Sequence, residues 1–314
     1  MAKKLWMYWL MFVVAIGLGF CVYQFISYKT VRSDALGQLQ TLATTKQQVL
    51  QTRLEETVHS LLEARDYVGS ANSGANSTEN INQFLDGLIQ KNKTIITMLV
   101  IDAQGVCVAS NRPTLIGSHF KNSPRYKAIS EHPDPHKIYF SDPFLTPLGN
   151  YTIAIGSMLE NKKGEFNGYI LAIASPEVFW KILAKDTATY DMASALINDN
   201  GLVIYRTPDN GNREASDLSA YPDSDFWKFL SSKKDASEGT AIAPATGLMN
   251  MVAYRHVALK GIVTDRQLYL TLSRENNSVF QNWQAQGLRL FLTWILLVSL
   301  SGLALAWKIQ RAEI

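Results

Sequence analysis

Two uncharged apolar runs, one near each end of the chain, constrain its fold more than any other feature of the sequence. Leu5 to Ile26 is a run of 22 residues without a charge, and Leu290 to Trp307 is a run of 18. In a helix that rises about 1.5 Å per residue, about 20 apolar residues cross the roughly 30 Å of hydrocarbon in a bilayer. The runs therefore predict two transmembrane helices, with residues 28–287 folding on one side of the membrane.

Basic residues beside the runs indicate an orientation. Four lie on the outer sides of the runs and three on the inner sides: Lys3, Lys4, Lys308 and Arg311 against Lys29, Arg32 and Arg289. This margin favours both termini in the cytoplasm. A cleaved signal peptide is the alternative for the first run, but signal peptides have about 7 to 15 apolar residues and a small-residue cleavage site. We expect an uncleaved anchor, and we expect any output domain to lie beyond the short segment 310–314.

Composition and motifs argue against several classes of function for this chain. A net charge of +3 over 314 residues, without a basic cluster, predicts no nucleic-acid partner. Two cysteines, one in the first apolar run and one in a strand-like run, predict no disulfide framework. Neither a phosphate-binding glycine loop nor a nucleophile elbow is present, so we expect no cofactor and no enzymatic activity of this region itself. His132 and His136 flank Asp134 in a proline-rich loop, which does not favour a metal site.

An internal repeat of about 100 residues gives the strongest indication of the fold. Val100 to Val108 matches Leu196 to Ile204, with turn glycines 96 residues apart. Two more matches follow in the same order: Gly149 to Ala154 with Gly247 to Val252, and Tyr169 to Phe179 with Tyr269 to Phe280. Three collinear matches predict two homologous modules in tandem.

Each module is predicted to contain a hairpin, a helix and three further strands, which is an α+β fold with an antiparallel sheet of about five strands. In the first module these elements fall near 95–110, 123–130, 137–142, 151–159 and 168–175. In the second they fall near 194–206, 224–232, 238–243, 249–257 and 267–273. Apolar residues at helical spacing from Val31 to Val68 predict a long amphipathic helix ahead of both modules. We expect it to pack on the modules rather than form only a coiled coil, with a loop from Tyr67 to Thr78.

The whole pattern resembles a double Cache sensor, which has two membrane spans, a stalk helix and two tandem PAS-like modules. The resemblance rests on Ser110 to Pro113, Pro124 to Ala128, Ile138 to Pro143 and Gly164 to Gly168. It implies a first span in 1–27, a stalk in 28–70, a membrane-distal module in 71–187, a membrane-proximal module in 188–287 and a second span in 288–309. The function implied is small-ligand sensing for a bacterial inner-membrane receptor of the diguanylate cyclase or histidine kinase type. The alternative is a membrane-anchored interaction subunit without its own output domain.

The resemblance also implies a ligand site in the first module. Tyr126 matches an aromatic ligand-binding position of the amino-acid-binding branch, and Arg125 stands at the family's tryptophan position. Ser123 stands where the family has a carboxylate-binding arginine, and Ser175 stands where it has an amine-binding aspartate, which weakens the prediction of an α-amino acid ligand. Small-ligand sites combine aromatic walls with a few polar groups. The candidate site residues are Arg112, Ser123, Arg125, Tyr126, Tyr139, Asp142, Tyr151, Ser157 and Ser175.

A core role is the alternative for these aromatic residues, because Tyr139 and Tyr151 lie on predicted strands. The expected ligand is an amino acid, an organic acid, an amine or a similar metabolite. We also expect a homodimer, because the apolar stripe of the stalk helix is longer than two narrow modules would cover, and most homo-oligomers are two-fold.

Overall fold

The computed structural model describes residues 2–70, 75–146, 151–185, 187, 191–208, 217–244 and 246–312. Within these ranges, the side chains of residues 2, 75–77, 124, 125, 128 and 312 are outside the description. The chain divides into two compact units. A helix-pair unit comprises 1–38 and 274–314, and a sheet unit comprises 39–273.

The helix-pair unit contains the two apolar runs, both of which are helical as predicted. The first lies in α1 (Ala2–Ser70) and the second in α6 (Asn276–Ala312). The Trp9 indole donates a hydrogen bond to Ser301 Oγ at 3.1 Å, and Tyr28 stacks on Phe280 with ring centroids 4.8 Å apart. Large apolar side chains elsewhere on both helices are exposed, and both helices are long and apolar enough to cross a membrane.

The first module of the sheet unit contains one antiparallel sheet and two helices of its own. Its elements are α2 (Ala75–Lys91), β1 (Ile95–Asp102), β2 (Cys107–Ser110), α3 (Pro124–Glu131), β3 (Lys137–Phe140), β4 (Phe144–Leu145), β5 (Tyr151–Thr152), β6 (Ala154–Glu160) and β7 (Phe166–Ala174). The main sheet has the order β3-β6-β7-β1-β2, and β4 pairs separately with β5. Helix α4 (Pro176–Ala184) leads to the second module.

The second module repeats this plan. Its elements are β8 (Met192–Asn198), β9 (Val203–Thr207), α5 (Asp225–Ser231), β10 (Ala236–Ile242), β11 (Met249–His256), β12 (Val263–Thr264) and β13 (Leu268–Glu275). Its sheet has the order β10-β11-β13-β8-β9. The predicted hairpins, helices and long strands are all present, so the α+β fold with two tandem modules is confirmed.

The hairpin turns show how closely the two modules repeat. Asp102 Oδ1 accepts the backbone N–H groups of residues 104 and 106, and Asn198 Oδ1 accepts those of residues 200 and 202. Gly105 and Gly201 adopt φ values of 83° and 82°, which residues with a Cβ rarely adopt. The same side-chain-to-backbone bonds at an offset of 96 residues explain why the repeat was visible in the sequence.

Helix α2 was not predicted, and the predicted loop from Tyr67 to Thr78 is wrong at both ends. Helix α1 continues to Ser70 and α2 begins at Ala75, while residues 71–74 are outside the described part of the chain. The polar first turn of α2 reads as a loop in the sequence. The helix is held instead by burial of Ile81, Leu85 and Leu88.

The part of the stalk that belongs to the sheet unit, residues 39–70 of α1, packs on both modules. Leu39, Leu54, Val58 and Leu61 have no exposed surface. The stalk therefore packs on the chain's own modules, as predicted, rather than forming only a coiled coil. Among the seven apolar stripe residues of this segment, only Val49 is exposed, so the chain's own modules cover most of the surface expected to pair two stalks, and homodimerisation stays a prediction. The seven are Leu39, Leu42, Val49, Leu54, Val58, Leu61 and Val68.

Polar contacts also fasten the stalk to each module. Lys46 Nζ donates to the carbonyl oxygens of Ile182 (2.8 Å), Leu183 (2.7 Å) and Lys185, at the end of α4. Near the first module, the hydroxyls of Thr57 and Thr94 lie 2.6 Å apart. A lysine that is 4% exposed and satisfied by three carbonyls fixes the stalk against the connection between the modules.

The two modules are also joined directly. Strand β12 of the second module pairs in parallel with β3 and becomes the sixth strand of the first module's sheet. Beside it, Asp265 Oδ1 accepts the Phe140 N–H at 2.8 Å, and the Arg266 guanidinium contacts the Asp142 carboxylate. Burial raises the pKa of Asp265 above its ordinary value of 3.8, with a smaller contribution from the negative charge of Asp199.

The raised pKa of Asp265 predicts a pH-dependent stability. The folded state binds the Asp265 proton more tightly than the unfolded state, so this group destabilises the fold progressively as pH rises from 3.8 through its folded pKa. Asp265→Asn keeps an acceptor for Phe140 N–H and removes the charge. Its thermal midpoint, minus that of the parent, should increase with pH over this window. Asp223→Asn, at an exposed residue, is the control, and parallel curves for Asp265→Asn and the parent would contradict the assignment.

Candidate functional site

Two of the predicted site residues act together at the start of α3. Ser123 is the N-cap of this helix, and its Oγ accepts the Tyr126 N–H at 3.2 Å. Tyr126 is buried in the core of the first module and donates its hydroxyl proton to the Ala103 carbonyl at 2.7 Å. Its ring meets that of Tyr169 edge-on, with centroids 5.8 Å apart. Both polar groups therefore already have partners within the chain.

Tyr139 and Ser157 lie on opposite faces of the first sheet. Tyr139 pairs with Gly156 across β3 and β6, so Ser157, the next residue along β6, points to the other face. The Tyr139 hydroxyl donates to the His132 carbonyl at 2.6 Å, and burial raises the pKa of this phenol. Ser157 faces the stalk, where Arg65 Nη1 approaches its Oγ at 3.5 Å.

The other predicted residues are spread over the first module. Asp142 contacts Arg266 at the junction between modules, and Ser175 is the buried N-cap of α4. Tyr151 is half-buried on β5, and Arg112 is exposed beside a 3-10 turn. The Arg125 side chain is outside the described part of the chain, as are residues 149 and 150 of the repeat match Gly149 to Ala154. The other eight candidate residues do not come together in one site, and ligand binding by the candidate residues stays a prediction.

Buried side chains form a cluster between α3 and the first sheet. Leu99, Leu171 and Ile173 belong to one buried cluster with Tyr126 and Tyr139. Cys107 lies in the same cluster, and burial raises the pKa of its thiol to about 11, so the thiol stays protonated. Neither Cys107 nor Cys21 is in a disulfide.

The second module instead contains a cavity of about 310 Å³, which we call the second-module cavity. It lies among β8, β11, β13 and the start of α5. Ala195, Thr271 and Ser273 line it at the positions where the repeat places Leu99, Leu171 and Ile173 in the first module. Three smaller side chains therefore line the second-module cavity at positions where larger side chains belong to the buried cluster of the first module.

Buried polar groups face this cavity. Ser224 Oγ and Asn250 Oδ1 are inaccessible to solvent and have no hydrogen-bond partner among the described residues. Phe226 and Tyr254 supply aromatic surface, with their ring centroids 6.2 Å apart. Burial, with a smaller effect of the Asp225 carboxylate, raises the pKa of Tyr254 and keeps its hydroxyl neutral. An apolar cavity with a few unpaired polar atoms has the chemistry of a small-ligand site.

Sequence reasoning missed this cavity although the repeat contained the signal. Once Tyr169 is aligned with Tyr269, Leu171 and Ile173 fall opposite Thr271 and Ser273. A loss of volume at consecutive same-face positions of a strand indicates a cavity unless another side chain fills it. Whether one fills it depends on three-dimensional packing, which the sequence alone did not provide.

Comparisons with known proteins identify the architecture. No protein-family model matches the sequence, and no curated protein matches it. Among solved structures, the extracellular domain of the histidine kinase rpHK1S-Z16 matches with a TM-score of 0.66 and 15% identity, covering 80% of this chain and 98% of that one. The fold is therefore that of the double Cache sensor domains found in chemoreceptors and histidine kinases.

Two further solved structures show the same likeness. The ligand-binding domain of the Pseudomonas fluorescens chemoreceptor CtaA, in complex with L-isoleucine, matches with a TM-score of 0.57 and 18% identity, covering 82% of this chain and 99% of that one. An extracellular ligand-binding receptor from Desulfohalobium retbaense matches with a TM-score of 0.57 and 17% identity over 76% of this chain. This chain spans only 40% of that receptor's chain.

Replacing Ser123 distinguishes a helix cap from a ligand contact. Ser123→Ala removes the acceptor for Tyr126 N–H, so it should lower the free energy of unfolding by about 1 kcal/mol. Chemical denaturation followed by tryptophan fluorescence measures the change. Ser130→Ala, at the other end of the same helix, removes only a long 3.4 Å contact and should have a smaller effect. Unchanged stability in Ser123→Ala would contradict the capping role.

Proposed function

We propose that this chain is the sensing region of a transmembrane receptor, with residues 28–287 outside the cytoplasm, and that it binds a small ligand. The observation that carries the proposal is a double Cache fold bounded by two helices that are long and apolar enough to span a membrane. A bacterial inner membrane, with both chain termini in the cytoplasm, is the location that fits the basic residues beside the helices.

The ligand we propose is a small metabolite, in the range of amino acids, organic acids, amines and similar molecules. The CtaA domain of the same fold is in complex with L-isoleucine, which supports a ligand of this size. In this chain, however, serines stand at the two positions where the family resemblance places charged groups for an α-amino acid. The first-module residues predicted from the sequence, including Arg112, Tyr151 and Asp142, remain a proposal for the site.

The sensor acts, in this proposal, by changing shape when the ligand binds. A ligand shifts an equilibrium between two shapes only by its difference in affinity for them. The output domain that we propose is of the diguanylate cyclase or histidine kinase type, and the role we propose for residues 1–314 is sensing rather than catalysis. A membrane-anchored subunit that acts on a separate partner is the alternative.

A homodimer is the assembly we propose. Homo-oligomers are mostly two-fold, and a second copy would give the receptor an interface that a ligand could alter. Because the apolar stripe of the stalk is largely buried within its own chain, pairing would use other surfaces of α1.

A ligand screen tests the sensing function. The full chain in lipid nanodiscs is heated with amino acids, organic acids, amines, amides and purines, one at a time, and its unfolding is followed by tryptophan fluorescence. A true ligand at 100 times its Kd should stabilise the fold by about 2.7 kcal/mol and raise the midpoint as its concentration rises. Isothermal titration confirms each hit. If no member of these classes raises the midpoint, small-metabolite sensing is contradicted, and the interaction-subunit alternative is favoured.

A further inference from the structure

We infer that the second-module cavity is a binding site for a small uncharged molecule with an apolar body and a hydrogen-bonding head, such as an amide or a hydroxyl. The inference deepens the proposed sensing function, on which it rests, by assigning a module and a chemical class to the ligand. The first module and the second module have the same fold but differ in the size of the side chains at three equivalent sheet positions.

The volume of the cavity is in the range of small-ligand sites. The second-module cavity measures about 310 Å³, which lies at the lower end of the roughly 300 to 1,000 Å³ typical of small-ligand sites. Ala195, Thr271 and Ser273 line it at the positions where the first module has leucine and isoleucine side chains in its core. The cavity is partly open to solvent, so a small molecule can enter it.

The N-cap serines of the equivalent helices in the two modules form a matched pair. Ser123 and Ser224 are the N-cap residues of α3 and α5, respectively. The Ser123 hydroxyl caps its helix, whereas the Ser224 hydroxyl makes no cap bond and is buried against the cavity without a partner in the described chain. A ligand head that bonds Ser224 would supply what its own helix does not.

A second matched pair points to the same place. Thr152 and Asn250 occupy equivalent positions of the repeat. Thr152 Oγ1 bonds the Ala174 carbonyl at 2.6 Å, whereas Asn250 Oδ1 has no partner among the described residues. Leaving a buried acceptor unsatisfied destabilises the fold. A ligand that carries an N–H or O–H donor removes that cost.

Charge selects the class of ligand. Arg206 and Asp225, the charged residues among the described lining of the cavity, both take part in interactions within the chain, Asp225 with Lys228 at 2.9 Å. A charged ligand would lose its hydration in a mostly apolar space and would compete with these interactions for a counter-charge. An uncharged molecule avoids both costs, and its apolar part can contact Phe226 and Tyr254.

Three probes that share one ring test this inference on the full chain in lipid nanodiscs. Benzamide has a neutral amide head, benzoate an anionic head and benzylamine a cationic head. Isothermal titration at millimolar concentration should detect benzamide, with benzoate and benzylamine binding at least about tenfold more weakly. Failure of benzamide to bind, or tighter binding of either charged probe, would overturn the proposed class.

Variants locate the benzamide site. Thr271→Leu with Ser273→Ile gives the second module the side chains of Leu171 and Ile173, and it should abolish benzamide binding while the chain still melts cooperatively. Thr240→Leu, at an exposed position of the same sheet, is the matched control and should bind normally. Ser224→Ala should weaken benzamide about fivefold, the effect of losing one neutral hydrogen bond.

The outcomes separate this inference from the sensing function. Unchanged benzamide affinity in the filled variant, or in Ser224→Ala if the filled variant does not fold, would overturn the cavity assignment. A metabolite from the broader screen that binds the parent and the filled variant equally would support sensing and place its site elsewhere.

Discussion

Lys46, a buried lysine of the stalk, fastens the stalk to the carboxyl end of α4, the short helix that connects the two modules. Lys46 of the stalk donates its ammonium protons to backbone carbonyls at the carboxyl end of α4, where the helix leaves unpaired acceptors and a partial negative charge. Leu183 O also accepts the Ser194 hydroxyl of β8 at 2.8 Å. Stalk, connecting helix and second sheet thus meet at one carbonyl group. Without the lysine, these carbonyls would be buried with fewer donors.

The two modules differ in the side chains that lie between helix and sheet. Leu171 belongs with Tyr126 to the buried cluster of the first module, whereas Thr271 at the equivalent position lines the second-module cavity. The second module has a buried cluster of its own, which includes Phe226. It also has support from outside, because β12 pairs with the first sheet and Arg255 Nε of β11 lies 3.4 Å from Thr44 Oγ1 of the stalk.

The position of the cavity suits a sensor. Ser273, which lines it, lies on β13, and α6 begins at Asn276, so the chain passes from the cavity wall to the second apolar helix within three residues. A ligand that moved this strand would act on the segment through which the proposed signal leaves.

The sequence predicted the repeated part of the fold well and the site poorly, for physical reasons. Hairpins, helices and strands have local signals, and the turns at Gly105 and Gly201 were recognisable from one another. Strand β12 is only two residues long and exists because it finds β3 in another module, which no local pattern shows. Ser123 and Ser157 were grouped by motif, but a cap bond engages one and strand alternation directs the other to the stalk.

Because one stalk packs on both modules, we expect the two modules to unfold as a single unit. Native-state hydrogen exchange of the full chain tests it at the buried amides of Leu171 in the first module and Leu270 in the second. If they do, the opening free energies at these two amides are equal. Lys46→Met should decrease both by the same amount, whereas Gln48→Met, which alters an exposed residue of the same helix, should decrease neither. Unequal opening energies, with Lys46→Met lowering only one of them, would contradict it.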